Sequence, residues 1–304
     1  LYSLIGLVML SISIRIQDGY HIAEENLLVA FLLIVTMIPA LRRLFRIMVV
    51  WKNGIISFKK LLNVLNLPDE SLIAAKDLSL EDGSIGLENL SYGFGRAQVF
   101  SNFNAKLFHG QINVIQGNSG SGKTVLVSLL SGLRTPDTGI ITIDGQDLSE
   151  CSRKSVRQSM TFVSDEFPLI GKTVFECISY SRKNSKREQA EKMLSKLQST
   201  LPFDQRLELN DRISGQAENL SQGQRRILLF ARALLTKKSI ILLDEPFIGL
   251  DDTLKRHLVS HLLKLKNKRT IVIFTKEDPE QIIGIKEPCN HVHLNPLVAV
   301  RKVG

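Results

Sequence analysis

Apolar residues are spaced in two different ways along this chain, and the change comes near residue 84. Before it they gather in long runs. Leu1–Ile14 is apolar except for serines, Gly6 and Tyr2, and Leu27–Ile38 is apolar except for Thr36. Gln17, Asp18, Gly19 and Tyr20 between them read as a turn. Beyond Pro39 the apolar pattern persists through Trp51, and Ile55–Leu67 repeats at helical spacing until Pro68, Asp69 and Glu70 end it. Residues 71–83 are more polar and read as a linker. After residue 84 the runs shorten to strand length: Ile85–Leu90, Gln98–Phe103, Ile112–Gln116, Ile140–Ile143, Ser239–Leu243 and Thr270–Phe274. The last two are apolar throughout their cores, as parallel strands buried on both faces require. Lys186–Leu201 reads as a charged amphipathic helix. Strands alternating with helices predict an α/β domain over residues 84–304.

The long runs predict a different environment. A complete bilayer span takes about 20 residues, so Leu1–Ile14 fits the end of a helix, and Leu27–Ile38 continues into a second. The loop between them holds Asp18, Glu24 and Glu25, while Arg42, Arg43, Arg46, Lys52, Lys59 and Lys60 follow the second run. By the positive-inside rule the segment after Arg42 is cytoplasmic. Basic residues after the apolar run, with no cleavage site, do not fit a signal peptide. A buried helix pair of a water-soluble protein is the competing reading. The chain opens at Leu1 and not at a methionine, so we expect further sequence before it.

Charge sharpens the division. The net charge is +9, and it lies entirely in residues 84–304, because acidic and basic side chains cancel in 1–83. A basic domain suits nucleotide phosphates, anionic lipid or nucleic acid. No zinc-finger, RRM or homeodomain spacing is present, so nucleic acid is not expected as a partner. Cys151, Cys177 and Cys289 show no C-x-x-C spacing and read as ordinary thiols.

The candidate chemistry begins where Ile112–Gln116 runs into Gly117, Asn118, Ser119, Gly120, Ser121, Gly122, Lys123 and Thr124, followed by the apolar helix pattern from Val125. Strand, glycine-rich loop and helix are the context in which G-x-x-x-x-G-K-[ST] holds a polyphosphate. The glycines let successive N–H groups turn inward, and the helix adds the positive end of its dipole. Lys123 would reach the β- and γ-phosphates of a nucleotide such as ATP, and Thr124 would ligate Mg²⁺. The buried run Ile240–Leu243 ends in Asp244, placed to hold Mg²⁺, and in Glu245, placed to activate water. Between these stand Ser221, Gln222, Gly223 and Gln224 at a helix start, with Ser221 a good N-cap.

Taken together these motifs resemble the ATP-binding cassette (ABC) transporters, in the exporter form that fuses membrane and ATPase domains. Leu220–Gln224 resembles their LSGGQ signature with Gln222 in place of a glycine. Pro136–Gly145 resembles the P-x-x-G-x-I-x-x-D-G run, and Glu245–Asp251 the catalytic glutamate and D-loop, with Ile248 and Gly249 where Ser-Ala is common. The resemblance covers nearly the whole chain. It implies an ABC-type P-loop NTPase domain at 84–304, with a helical subdomain and an antiparallel β portion, preceded by transmembrane α-helices. Residues 1–67 would be the C-terminal part of the membrane domain and 68–83 the linker. It further implies that Phe94, or alternatively Tyr92, stacks on adenine, and that Ser221, Gln222, Gly223 and Gln224 serve the nucleotide of a second ABC subunit. Two positions depart from the family. Asp165 stands where a glutamine contacts Mg²⁺ and the attacking water, and Lys276 where a histidine contacts the γ-phosphate. Either could retain part of that role. Impaired hydrolysis and tolerated variation both remain open, as do a homodimer and a heterodimer, the exported substrate, and a water-soluble ABC ATPase acting on nucleic acid. The implied location is a cell membrane, that of a bacterial interior membrane, with the ATPase domain in the cytoplasm.

Overall fold

The short apolar runs of the second half pair into two sheets. The structure is a computed structural model that describes residues 13–14, 24–66, 76–95, 97–165, 167–180, 187–215, 217–283 and 289–294, with backbone alone at 24–34 and 36. The chain divides into two units, Leu1–Asp69 and Glu70–Gly304.

In the second unit, β1 (Ile85–Phe94) pairs antiparallel with β2 (Ala97–Leu107) and with β4 (Thr138–Ile143), and β5 (Gln146–Asp147) completes a four-stranded sheet in the order β2-β1-β4-β5. The second sheet is parallel. It comprises β3 (Ile112–Gln116), β6 (Met160–Val163), β7 (Ile240–Asp244), β8 (Thr270–Thr275) and β9 (Asn290–His293), in the order β6-β7-β8-β3-β9. β3 leads into α2 (Lys123–Leu130). α3 (Arg153–Ser159) precedes β6. The helices α4 (Val174–Ser179), α5 (Arg187–Leu197) and α6 (Gln222–Leu235) pack on one another, and α7 (Asp252–Leu263) and α8 (Pro279–Ile283) flank β8.

The parallel sheet is covered on both faces, which is why β7 and β8 carry no polar alternation. Successive side chains point to opposite faces. Ile241, Leu243, Ile271 and Ile273 accordingly pack with α4–α7. Ile240, Leu242, Val272 and Phe274 pack instead with α2 and the antiparallel sheet. Each such side chain, fully removed from water, contributes about 1.5–3 kcal/mol. The three cysteines are free, and burial pushes the Cys177 thiol up to about 11.

The first unit contributes α1 (Glu24–Leu65), a helix of 42 residues that runs unbroken through Pro39. Leu44, Phe45, Ile47, Met48, Val49 and Trp51 all stand exposed on it. Among the described residues no helix is long and apolar enough to cross a membrane. The apolar run at 27–38 lies in the part of α1 whose side chains are largely outside the description. The run at 1–14, apart from residues 13–14, and the turn at 17–20 also lie outside the described residues.

The end of the stretch expected as linker is held within the second unit. Lys76 bridges Cys151: its N–H donates to the Glu150 carbonyl at 3.1 Å, and its carbonyl accepts from Ser152 at 2.8 Å. The Asp144 carboxylate then accepts from the backbone N–H groups of Glu81, Gly83 and Ser84 at 2.8–2.9 Å. One carboxylate thereby fixes where the chain enters β1. Replacing Asp144 by alanine leaves these donors unpaired and is expected to lower stability by about 2–4 kcal/mol, read as a shift of the urea midpoint at unchanged slope.

Candidate functional site

The parallel register brings four segments to one edge of the sheet. Gln116 lies opposite Thr275, Asp244 opposite Phe274, and Val163 opposite Leu243. The strands therefore end level, and the residues that follow each of them meet. The crevice beyond the carboxyl ends of parallel strands is where such sheets bind ligands. Here it is a cleft of about 470 Å³, with Lys123 and Thr124 on one side and Asp165, Asp244, Glu245 and Lys276 around it.

The glycine-rich loop borders that cleft through Ser119, Gly120 and Gly122. Gly117 is anchored by its N–H to the Thr275 carbonyl at 2.9 Å, and the Ser121 N–H donates to the Asn118 carbonyl at 3.1 Å. Gly122 caps α2 with φ +94°, and no side chain caps the helix. The first N–H groups of α2 thus lack a capping side chain, a ready-made anion site. A side chain at 122 would be excluded, because a Cβ would stand 2.6 Å from Val99 Cγ1 and 2.8 Å from Phe100 Cζ. Ser119, Gly120 and Val125 line the cleft. Ser121 is buried beneath it, and its hydroxyl has no hydrogen-bond partner among the described residues. Lys123 is buried too, donating to the carbonyls of Gly117 and Asn118 at 2.7 and 3.0 Å.

Thr124 Oγ1 donates to Asp244 Oδ2 at 3.2 Å. This spacing is itself a test of the implied metal. Adjacent oxygens around an octahedral Mg²⁺, each about 2.1 Å from it, stand about 3 Å apart. The hydroxyl of the loop and the carboxylate of β7 therefore fit as two neighbouring ligands. Glu245 follows with φ +44°, its N–H held by the Phe274 carbonyl at 2.9 Å. This left-handed turn, uncommon for a residue with a side chain, swings the carboxylate out of the strand line. Its Oε1 lies 3.3 Å from Lys123 Nζ in an ion pair whose angle is not that of a hydrogen bond.

The two candidate aromatics separate. Tyr92 is buried at 8% exposure in the core, and its hydroxyl accepts from Arg134 at 2.8 Å. Phe94 is 46% exposed and lines the cleft. Of the two, Phe94 alone lines the cleft, whereas Tyr92 is buried beside it. The Arg134 guanidinium lies 4.8 Å over the Phe94 ring. Asp165 and Lys276 both reach the cleft and both are exposed. Asp165 does not stand free there: its Oδ2 accepts from Arg226 Nη2 at 2.6 Å. Arg134 and Arg226 were not singled out from the sequence. A basic residue on the apolar face of a helix pattern was the available signal for Arg226.

Ser221, Gln222, Gly223 and Gln224 do not line this cleft. They form the start of α6 with a full capping box, in which Ser221 Oγ accepts from the Gln224 N–H and Gln224 Oε1 accepts from the Ser221 N–H. Gln222 uses its side chain locally, donating to the Ile248 carbonyl at 3.2 Å and lying against Gly249. Asp251 caps α7 by accepting from Thr253 and Leu254.

Comparison with known proteins agrees with this fold. The family model described as "ABC transporter" matches residues 100–248. An ATP-dependent lipid A-core flippase of Francisella tularensis subsp. holarctica (strain OSU18) is 30% identical over 256 residues, covering 81% of this chain and 42% of the flippase. A probable ABC transporter ATP-binding/permease protein of Haemophilus influenzae is 30% identical over 227 residues, covering 71% of this chain and 40% of that protein. The chain thus spans under half the length of these curated relatives. A bacterial Atm1-family ABC exporter with ATP bound superposes with a TM-score of 0.70 at 22% identity, over 80% of this chain and 43% of that one, which establishes the fold.

Gly122→Ala puts a Cβ into Val99 and Phe100 and forces a strained φ. It is expected to cost about 2–4 kcal/mol in chemical denaturation and to weaken nucleotide binding measured by equilibrium titration.

Proposed function

Because the chain belongs to the ABC transporter family, we propose that it forms the ATP-binding part of an exporter subunit and couples ATP binding and hydrolysis to movement of a substrate across a membrane. The observation that carries this reading is the convergence of Lys123, Thr124, Asp244 and Glu245 at the level ends of β3 and β7.

In this reading the loop N–H groups other than those of Gly117 and Ser121, together with the α2 terminus, bind the β- and γ-phosphates of ATP. Lys123 exchanges its loop carbonyls for phosphate oxygens, and Phe94 offers a ring face to the base. Thr124 and Asp244 would hold Mg²⁺, which when bound neutralises charge on the β- and γ-phosphate oxygens. Glu245 accepts a proton from the attacking water as its oxygen bonds to the γ-phosphorus and the bond to the β-bridging oxygen breaks. Lys276 stands where it can donate to the γ-phosphate, as a mobile point charge and not a fixed planar donor.

Ser221, Gln222, Gly223 and Gln224 act on a nucleotide other than the one in their own cleft. Their absence from its lining supports a head-to-tail pairing with a second ABC subunit, each helix start facing the other's phosphates. The apolar run at 27–38, ahead of the basic cluster and with Val35 and Met37 exposed, supports a membrane setting for the first unit. Arg42, Arg43, Arg46, Lys52, Lys59 and Lys60 support a cytoplasmic setting for the following domain. The names of the bacterial flippase relatives support an amphiphilic lipid as the exported class.

Glu245→Gln tests the chemical assignment on the purified protein in detergent. ATP turnover is expected to fall about 10²-fold or more, with the ATP dissociation constant changed only a few-fold. Turnover unaffected by the substitution would remove Glu245 from this role.

A further inference from the structure

Helix α6 carries a charge on the face it buries. Arg226 is 1% exposed and neighbours Ile227, Leu228 and Leu229, all core residues. Only one nitrogen of its guanidinium has a described partner: Nη2 donates to Asp165 Oδ2 at 2.6 Å, while Nε and Nη1 are buried without a hydrogen bond among the described residues. A buried guanidinium so poorly paired is costly, and replacing such a pair by neutral groups is often neutral or stabilising. Burial pushes the Arg226 pKa down, opposed first by Asp165 and more weakly by Asp244. The cation therefore lies within electrostatic reach of both carboxylates at the cleft. Asp244 is the carboxylate already paired with Thr124 at a spacing that suits Mg²⁺.

We propose that Arg226 is a tethered cation that holds the Asp165 carboxylate off the metal position, so that Mg²⁺ contributes less to ATP binding here than at a site with neutral residues at 165 and 226. Arg226 is a positioning residue in this arrangement and acts through Asp165. The guanidinium remains charged at any working pH. It satisfies Asp165, and it repels a divalent cation approaching Thr124 and Asp244. The same positive charge favours the phosphates themselves, so nucleotide without metal gains where nucleotide with metal loses. The proposal rests on the reading of the cleft as an ATP site.

The test is the ratio of dissociation constants for a non-hydrolysable ATP analogue measured in EDTA and in Mg²⁺. It is taken on the wild-type protein, on Arg226→Gln and on the double variant Asp165→Gln/Arg226→Gln, with melting temperatures alongside. Arg226→Gln is expected to raise the ratio about tenfold, and the double variant, which loses the exposed carboxylate together with the buried cation, to raise it by less, in each case through tighter binding in Mg²⁺ and weaker binding in EDTA. The double variant removes the ion pair as a unit, and it decides the matter should Arg226→Gln fail to fold. A ratio that stays at the wild-type value overturns the proposal. A ratio that falls in the double variant also overturns it, because Asp165 would then itself be holding the metal. Wild-type protein that binds the analogue in neither buffer would instead overturn the ATP-site reading.

Discussion

The site depends on strands β3, β7 and β8 ending at the same level. With Gln116 opposite Thr275 and Asp244 opposite Phe274, the glycine-rich loop, the acidic pair and Lys276 leave the sheet side by side. A slip of one residue would turn every side chain of a strand to the wrong face, and here both faces are filled. Ile241 and Leu243 face one core, Ile240 and Leu242 the other. Packing on two sides thus fixes the register, and the register fixes the distance between Thr124 and Asp244.

Upon that frame the charges are arranged with little slack. Lys123 is buried and divided between loop carbonyls and Glu245. The Glu245 backbone is turned into a left-handed conformation that the Phe274 carbonyl secures. Lys255, near the start of α7, pairs with Glu277 directly after Lys276. The helix capped by Asp251 is thereby tied to the segment that borders the cleft. Binding a polyphosphate re-pairs charges that are already in place, which limits the reorganisation needed during reaction.

Much of this was legible in the sequence, for reasons that differ from residue to residue. The loop at 117–124 announces itself because its glycines, lysine and threonine fall between a bare apolar strand and a helix. β7 and β8 were legible because burial on both faces leaves an uninterrupted apolar run. β9 was not: only Val292 is apolar in Asn290–His293, and the strand lies at the sheet edge. Tyr92 and Phe94 could not be separated, since strict alternation puts them on the same face. The pairing of β1 with β2 shifts at Tyr92–Gly93, and that irregularity turns Phe94 out while Tyr92 stays in. Arg226 was missed because a basic residue beside a helix start reads as solvated, although its place on the apolar face of the α6 pattern pointed to burial.

The central claim is that each cleft is completed by the α6 start of another subunit. It is tested most directly by mixing two inactive forms of the protein, one carrying Lys123→Ala and the other Ser221→Arg, and measuring ATP turnover of the mixture. In a mixed pair both lesions fall on one composite site and the other stays intact. The account therefore predicts turnover in the mixture well above that of either form alone. A mixture no more active than its components, with mixed pairs demonstrated to form, would contradict it.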